Sequence, residues 1–160
     1  MTKVDFIKQL SSYFSHKGFV YKNTHYYKEV SSDTLIVFGM QASRYGEYSY
    51  LEYGYCFKSA SRYWPYPKIN QLNLNCGRIM TDIGKAIVFE KIDKKTLQNL
   101  EKSIDVIINE MISLIQLGKN AMIQYYFSGK SNQSWYILGE ETADYFGLPK
   151  ESFQYHFVKG

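Results

Sequence analysis

The chain has 160 residues, 45% of them hydrophobic and 21% charged, with a net charge of +4 and a pI near 8.9. That size and balance fit one globular domain, residues 1–160, with a real core, and exclude a disordered or fibrous chain. The charge is too mild to imply nucleic acid by itself, and a pair of cysteines, Cys56 and Cys76, with no Cys-x-x-Cys excludes a disulfide framework.

The opening "MTKVDFIKQLSSYF" is charged from its third residue and lacks the apolar stretch of a signal peptide. It reads instead as a helix, with Val4, Ile7, Leu10 and Phe14 at helical spacing and Thr2 and Asp5 placed as a capping box. Gly18 after "HK" suits the left-handed residue that ends a helix. "FVYKNTHYYKEV" reads as two short strands around Asn23, a hairpin. After a turn at 31–33, "TLIVFGMQAS" (34–43) is apolar on both alternating faces, as a central strand should be. "RYGE" (44–47) is the next turn.

"YGEYSYLEYGYCF", from Tyr45 to Phe57, holds five of the chain's 16 tyrosines. Alternation sends Leu51, Tyr53, Tyr55 and Phe57 to one face, and Tyr48, Tyr50, Glu52, Gly54 and Cys56 to the other. The first set is expected in the core, with hydroxyls reaching the edge. The second lines a face that need not be covered. Gly54 in mid-strand signals a bulge or the close approach of another group. "SASRYWPYPKIN" (59–70) is a loop held by Pro65 and Pro67 that carries Tyr63, Trp64 and Tyr66, and "QLNLNCGRIM" (71–80) is a last strand.

The second half reads as helical. Asp93 or Thr96 starts a long helix with an apolar stripe of Leu97, Leu100, Ile104, Ile107, Ile108, Met111, Leu114 and Ile115, stopped by Gly118. Shorter helices are predicted at about 120–127 and 139–146, punctuated by Gly129, "SNQS" and Gly147-Leu148-Pro149. The whole is an α+β domain: an N-terminal helix, an antiparallel sheet of four to six strands, a long amphipathic helix and short C-terminal helices.

The words inside this order resemble a bacterial family. "FSHKGFVYKNTHYYK" looks like that family's opening, where a helix ends at Gly-Phe and runs into a hairpin. "FGMQASRYGEYSYLEYGYCF" resembles its central strand pair, and "LNCGRIM" its later element with a Cys followed closely by an Arg. The family is domain of unknown function 4304, and the similarity covers roughly residues 5–115. Where the family has Asn before the glycine, this chain has Glu52-Tyr53-Gly54. The resemblance implies an α+β fold and a bacterial origin, and no activity to carry over.

The chemistry-bearing residues are sparse. His16, His25 and His156 have no ligand spacing to each other or to the cysteines, so no metal site or cofactor is expected. An Arg two residues from Cys76 would favour a thiolate, but buried structural cysteine is the plainer reading of both thiols. No nucleophile elbow, phosphate loop or zinc-protease motif occurs. Glu47 and Glu52, five apart on a strand, face opposite sides and make no acid–base pair.

What remains is a surface: Arg44, Tyr48, Tyr50, Glu52, Arg62, Tyr63, Trp64 and Tyr66. Tyr, Trp and Arg dominate binding hot spots, so the preferred reading is a non-catalytic domain whose partner is another protein. A toxin-neutralising immunity protein of the bacterial cytoplasm, monomeric or weakly dimeric and without a membrane span, is the specific form. The alternative is single-stranded nucleic acid stacked on the Tyr/Arg face. Against both stands burial of that face under the long helix, and an enzyme with unrecognised residues is the third class.

Overall fold

The computed structural model describes residues 1–82, 84–127, 136–137 and 139–148, with only the backbone described at 136, 137 and 139. His156, Gly129, "SNQS" and Pro149, singled out above, lie outside these residues.

Helix α1 (Lys3–His16) starts at Thr2, whose hydroxyl accepts from the Asp5 N–H and donates to the Asp5 carboxylate. It buries Phe6, Leu10 and Phe14. This corrects the expected stripe. Val4 is 76% exposed, because about 100° per residue puts it roughly 120° from the centre of the row formed by positions 6, 10 and 14. Gly18 (φ +83°) closes the helix, and Phe19 N–H returns to Phe14 O at 3.0 Å.

Strands β1 (Val20–Lys22) and β2 (His25–Ser31) form a hairpin whose two turn residues, Asn23 and Thr24, both have positive φ, the signature of a type I′ turn. β3 (Thr34–Ala42), β4 (Ser49–Phe57), β5 (Leu74–Arg78) and the two-residue β6 (Tyr136–Ile137) complete an antiparallel sheet in simple sequence order. α2 (Lys94–Leu117) is capped by the Asp93 carboxylate, which accepts from Thr96 N–H at 2.7 Å, and ends at Gly118 (φ +100°). Short helices α3 (Lys119–Phe127) and α4 (Gly139–Phe146) follow.

The helices gather on one face of the sheet. Leu97, Leu100, Ile104, Ile108, Met111 and Leu114 of α2 join Leu51, Tyr53, Tyr55 and Phe57 of β4 in one core, with Phe6, Leu10 and Phe14 of α1. Ile107 and Ile115, expected in the same stripe, are half-buried at its margins. Of the two β4 tyrosines pointing here, Tyr55 does not reach the edge as expected. The Tyr55 hydroxyl lies deep, donating to Met111 O at 3.3 Å and paired with the Tyr126 hydroxyl at 2.9 Å. Burying a phenol is tolerated because its polar end finds these partners.

A smaller cluster forms on the second face. Tyr27, Leu35, Val37 and Cys56 of the sheet are covered by Ile69 and Leu72, with Trp64 packed against them. No helix crosses here among the described residues; the cover is the irregular stretch 58–72, which contains one-turn 3₁₀ segments at Lys58–Ala60 and Ile69–Gln71.

Candidate functional site

The second face is organised by one cross-strand row. Register aligns Lys22 with His25, His25 with Gly39, Gly39 with Glu52 and Glu52 with Arg78, so five side-chain positions share one line across β1 to β5. Gly39 leaves room for the His25 ring: a Cβ there would sit 2.6 Å from His25 Cδ2 and 2.7 Å from Ile69 Cγ1. His25 uses both ring nitrogens. Nδ1 donates to Asn23 O at 2.8 Å, and Nε2 accepts from Ile69 N–H at 3.1 Å. The Tyr27 hydroxyl donates to Pro67 O at 2.9 Å. These two bonds fasten segment 58–72 over half of the face.

That segment presents two of its aromatics, Tyr63 and Tyr66, outward. Tyr66 lies edge-on to Tyr27 at 5.3 Å between centroids, and Lys22 Nζ sits 4.2 Å from the Tyr66 ring centre. Tyr63 and Tyr66 are each 45% exposed, while Trp64 is half-buried with Lys58 beside it. Arg62 leaves this group and pairs with Glu141 of α4 at 2.9 Å, an exposed ion pair of the kind that adds little to stability.

The other half of the face is set by a bulge. Tyr53 pairs with Gly77 but Gly54 pairs with Asn75, so β5 carries one extra residue, Cys76. Gly77 has φ +114°, and its N–H is held by Asn75 Oδ1 at 2.8 Å. Both Asn75 and Arg78 thereby reach Glu52: Asn75 Nδ2 donates to Oε2 at 3.3 Å and Arg78 Nε to Oε1 at 3.0 Å. The Arg78 guanidinium carbon lies 3.6 Å from the Tyr50 ring centre, and Tyr48 meets Tyr50 edge-on at 5.5 Å. Hydrogen bonds from Ser43 and then Tyr50 hold the Tyr48 hydroxyl below the ordinary phenol range, and the same pairing pushes Tyr50 up. Gln41 pairs with Tyr50 across β3 and β4.

The predicted residues therefore divide. Tyr48, Tyr50 and Glu52 cluster at the start of β4, with Arg44 exposed in the preceding turn; Tyr63, Trp64 and Tyr66 ride on the covering segment; Arg62 is drawn to α4. The long helix lies on the opposite face from all of these. Sequence reasoning missed Arg78, Asn75, His25 and Lys22. Strand alternation was the available signal for His25 and Lys22. For Arg78 it was obscured by the bulge, which resets the parity of β5.

The two cysteines lie on opposite faces, Cys56 in the small cluster and Cys76 in the main core, and burial pushes both thiols up. Neither environment favours a thiolate nucleophile. Among the described residues no group of three or more His, Cys, Asp or Glu side chains is placed to hold a metal ion, and no helix is long and apolar enough to cross a membrane.

A family model described as a domain of unknown function (DUF4304) matches residues 10–145. No curated protein and no solved structure matches the chain.

Proposed function

Since the chain belongs to the DUF4304 family, whose description leaves the activity open, we propose that it is a non-catalytic domain that binds another protein through the second face of its sheet. The supporting observation is the Tyr48–Tyr50–Arg78–Glu52 cluster, on the same face of the sheet as the Tyr66 that packs on Tyr27. It is a set of hot-spot residue types held rigid by a bulge and by a fastened cover, with no described helix over it. Pre-ordering matters because side chains already fixed lose little freedom on binding. The specific form of the reading is a toxin-neutralising immunity protein of the bacterial cytoplasm. A secreted-toxin gene beside this one, with growth restored by co-expression of the wild-type chain and not of Tyr50→Ala/Tyr66→Ala, is the expected result. Equal rescue by that folded double variant would sink it.

Single-stranded nucleic acid is the weaker reading. Base stacking needs an open aromatic face, and one face of Tyr50 is occupied by Arg78.

A further inference from the structure

Arg78 is held as an anchor would be. The Tyr50 ring centre lies 3.6 Å from its guanidinium carbon, and Glu52 takes the Nε–H at 3.0 Å. Glu52 is itself held by Asn75 and is 12% exposed at its side chain. The Arg78 side chain is 43% exposed, and its Nη groups have no hydrogen bond to any described residue. A guanidinium locked in this way loses little rotamer freedom when a second anion arrives, and its remaining donors match a planar two-oxygen acceptor.

The surroundings set the sign of the partner. Lys22 lies at the far end of the same cross-strand row, Lys68 immediately precedes Ile69 on the cover, and Arg44 stands in the turn before β4. Against these four cations stand Glu47, in the same turn as Arg44, Glu52, already bonded to Arg78 and Asn75, and Glu29, exposed on this face opposite Leu35 at the other end of β2. From Tyr53 to Thr81 the chain has no acidic residue, and neither has Phe6 to Lys28. The fold brings these two acid-free stretches together where Lys22 meets Tyr66.

We infer that Arg78 is the anchor of this surface and takes a side-chain carboxylate from an acidic protein partner, with Tyr48 and Tyr50 flanking it and Lys22, Lys68 and Arg44 at the rim. The inference rests on the protein-binding reading above and names the chemistry of the partner.

The chain has only three arginines, Arg44, Arg62 and Arg78, so their Nε–Hε resonances are separable by NMR. The full-length protein is titrated with hexaglutamate, hexaglutamine and hexathymidylate at about 0.15 M salt, where loose surface attraction is screened. Hexaglutamate should move the Arg78 resonance saturably. Arg78→Lys, which keeps the charge and loses the fork, should weaken it by about tenfold, the size of one charge-assisted contact. Arg62→Ala should titrate like the wild type. An unmoved Arg78 resonance, or equal affinity for the folded Arg78→Lys variant, overturns the assignment. Equal binding of hexaglutamine overturns the acidic partner but leaves protein binding standing. Tighter, steeply salt-dependent binding of hexathymidylate overturns both.

Discussion

Tyr53 is 5% exposed and stacks on Phe38 at 5.8 Å, whereas Tyr50, three residues earlier, is half-buried beneath the Arg78 guanidinium. Tyr53→Ala should cost about 3–5 kcal/mol, the usual loss for emptying an aromatic core site. Tyr50→Ala removes one cation–π contact at the surface and should cost clearly less than Tyr53→Ala. Urea melts of the two variants check this, and equal losses would mean that Tyr50 is a core residue. Gly54 offers a sharper test. A Cβ there would lie 2.1 Å from Leu74 O, a backbone atom that cannot swing aside. Gly54→Ala should therefore destabilise by at least the ~1–3 kcal/mol typical of overpacking. A loss under about 0.5 kcal/mol, the range of neutral surface changes, would show that the β4–β5 bulge has more room than the geometry allows.

α2 carries a one-sided stripe, and its two sides should respond oppositely to truncation. Ile104 is fully buried against the sheet, whereas Val106, two residues on, is 65% exposed. Ile104→Ala should cost about 2–5 kcal/mol, and Val106→Ala should stay within about 0.5 kcal/mol of the wild type. Denaturant midpoints at constant m-value measure both. A small loss at Ile104 would mean that the helix does not pack on the sheet face formed by Leu51, Tyr53, Tyr55 and Phe57.

Across the whole molecule, the first and the long helix are tied by Asp105, which accepts from the Tyr13 hydroxyl and pairs with Lys17 at 2.9 Å. Partial burial works against the Asp105 charge, but Tyr13 and Lys17 outweigh it and hold the carboxyl below its ordinary value. A depressed carboxylate stabilises the fold above its unfolded pKa of about 3.9, and that contribution is lost as the pH falls through the lower, folded value. Glu101 nearby is shifted up, by burial and then by Asp105 itself, which reduces the net effect at neutral pH. Asp105→Asn should thus melt below the wild type at pH 7, and the gap should close at acid pH below about 4. A gap that is constant across this range would show that the Asp105 carboxylate is not coupled to folding.

The outline of the fold was legible because it follows from local rules. Period-two alternation separated Tyr53 and Tyr55 from Tyr50 and Glu52, Asp93 and Gly118 bounded the long helix, and Gly18 ended the first. Each of these depends on residues a few positions apart. The extent of the sheet's second cover, the division of the predicted surface and the place of Arg78 depend instead on contacts far apart in the chain. Ile69 meets His25, Pro67 meets Tyr27, Glu141 draws Arg62 away, and the extra residue at Cys76 turns Arg78 onto Glu52. A one-residue bulge inverts strand parity with no periodic trace in the sequence, and a loop's docking site is set by the face it finds rather than by its own pattern. The sequence therefore determined which tyrosines of β4 enter the main core, and tertiary structure alone decided which arginine joins Tyr50 and Glu52 on the other face.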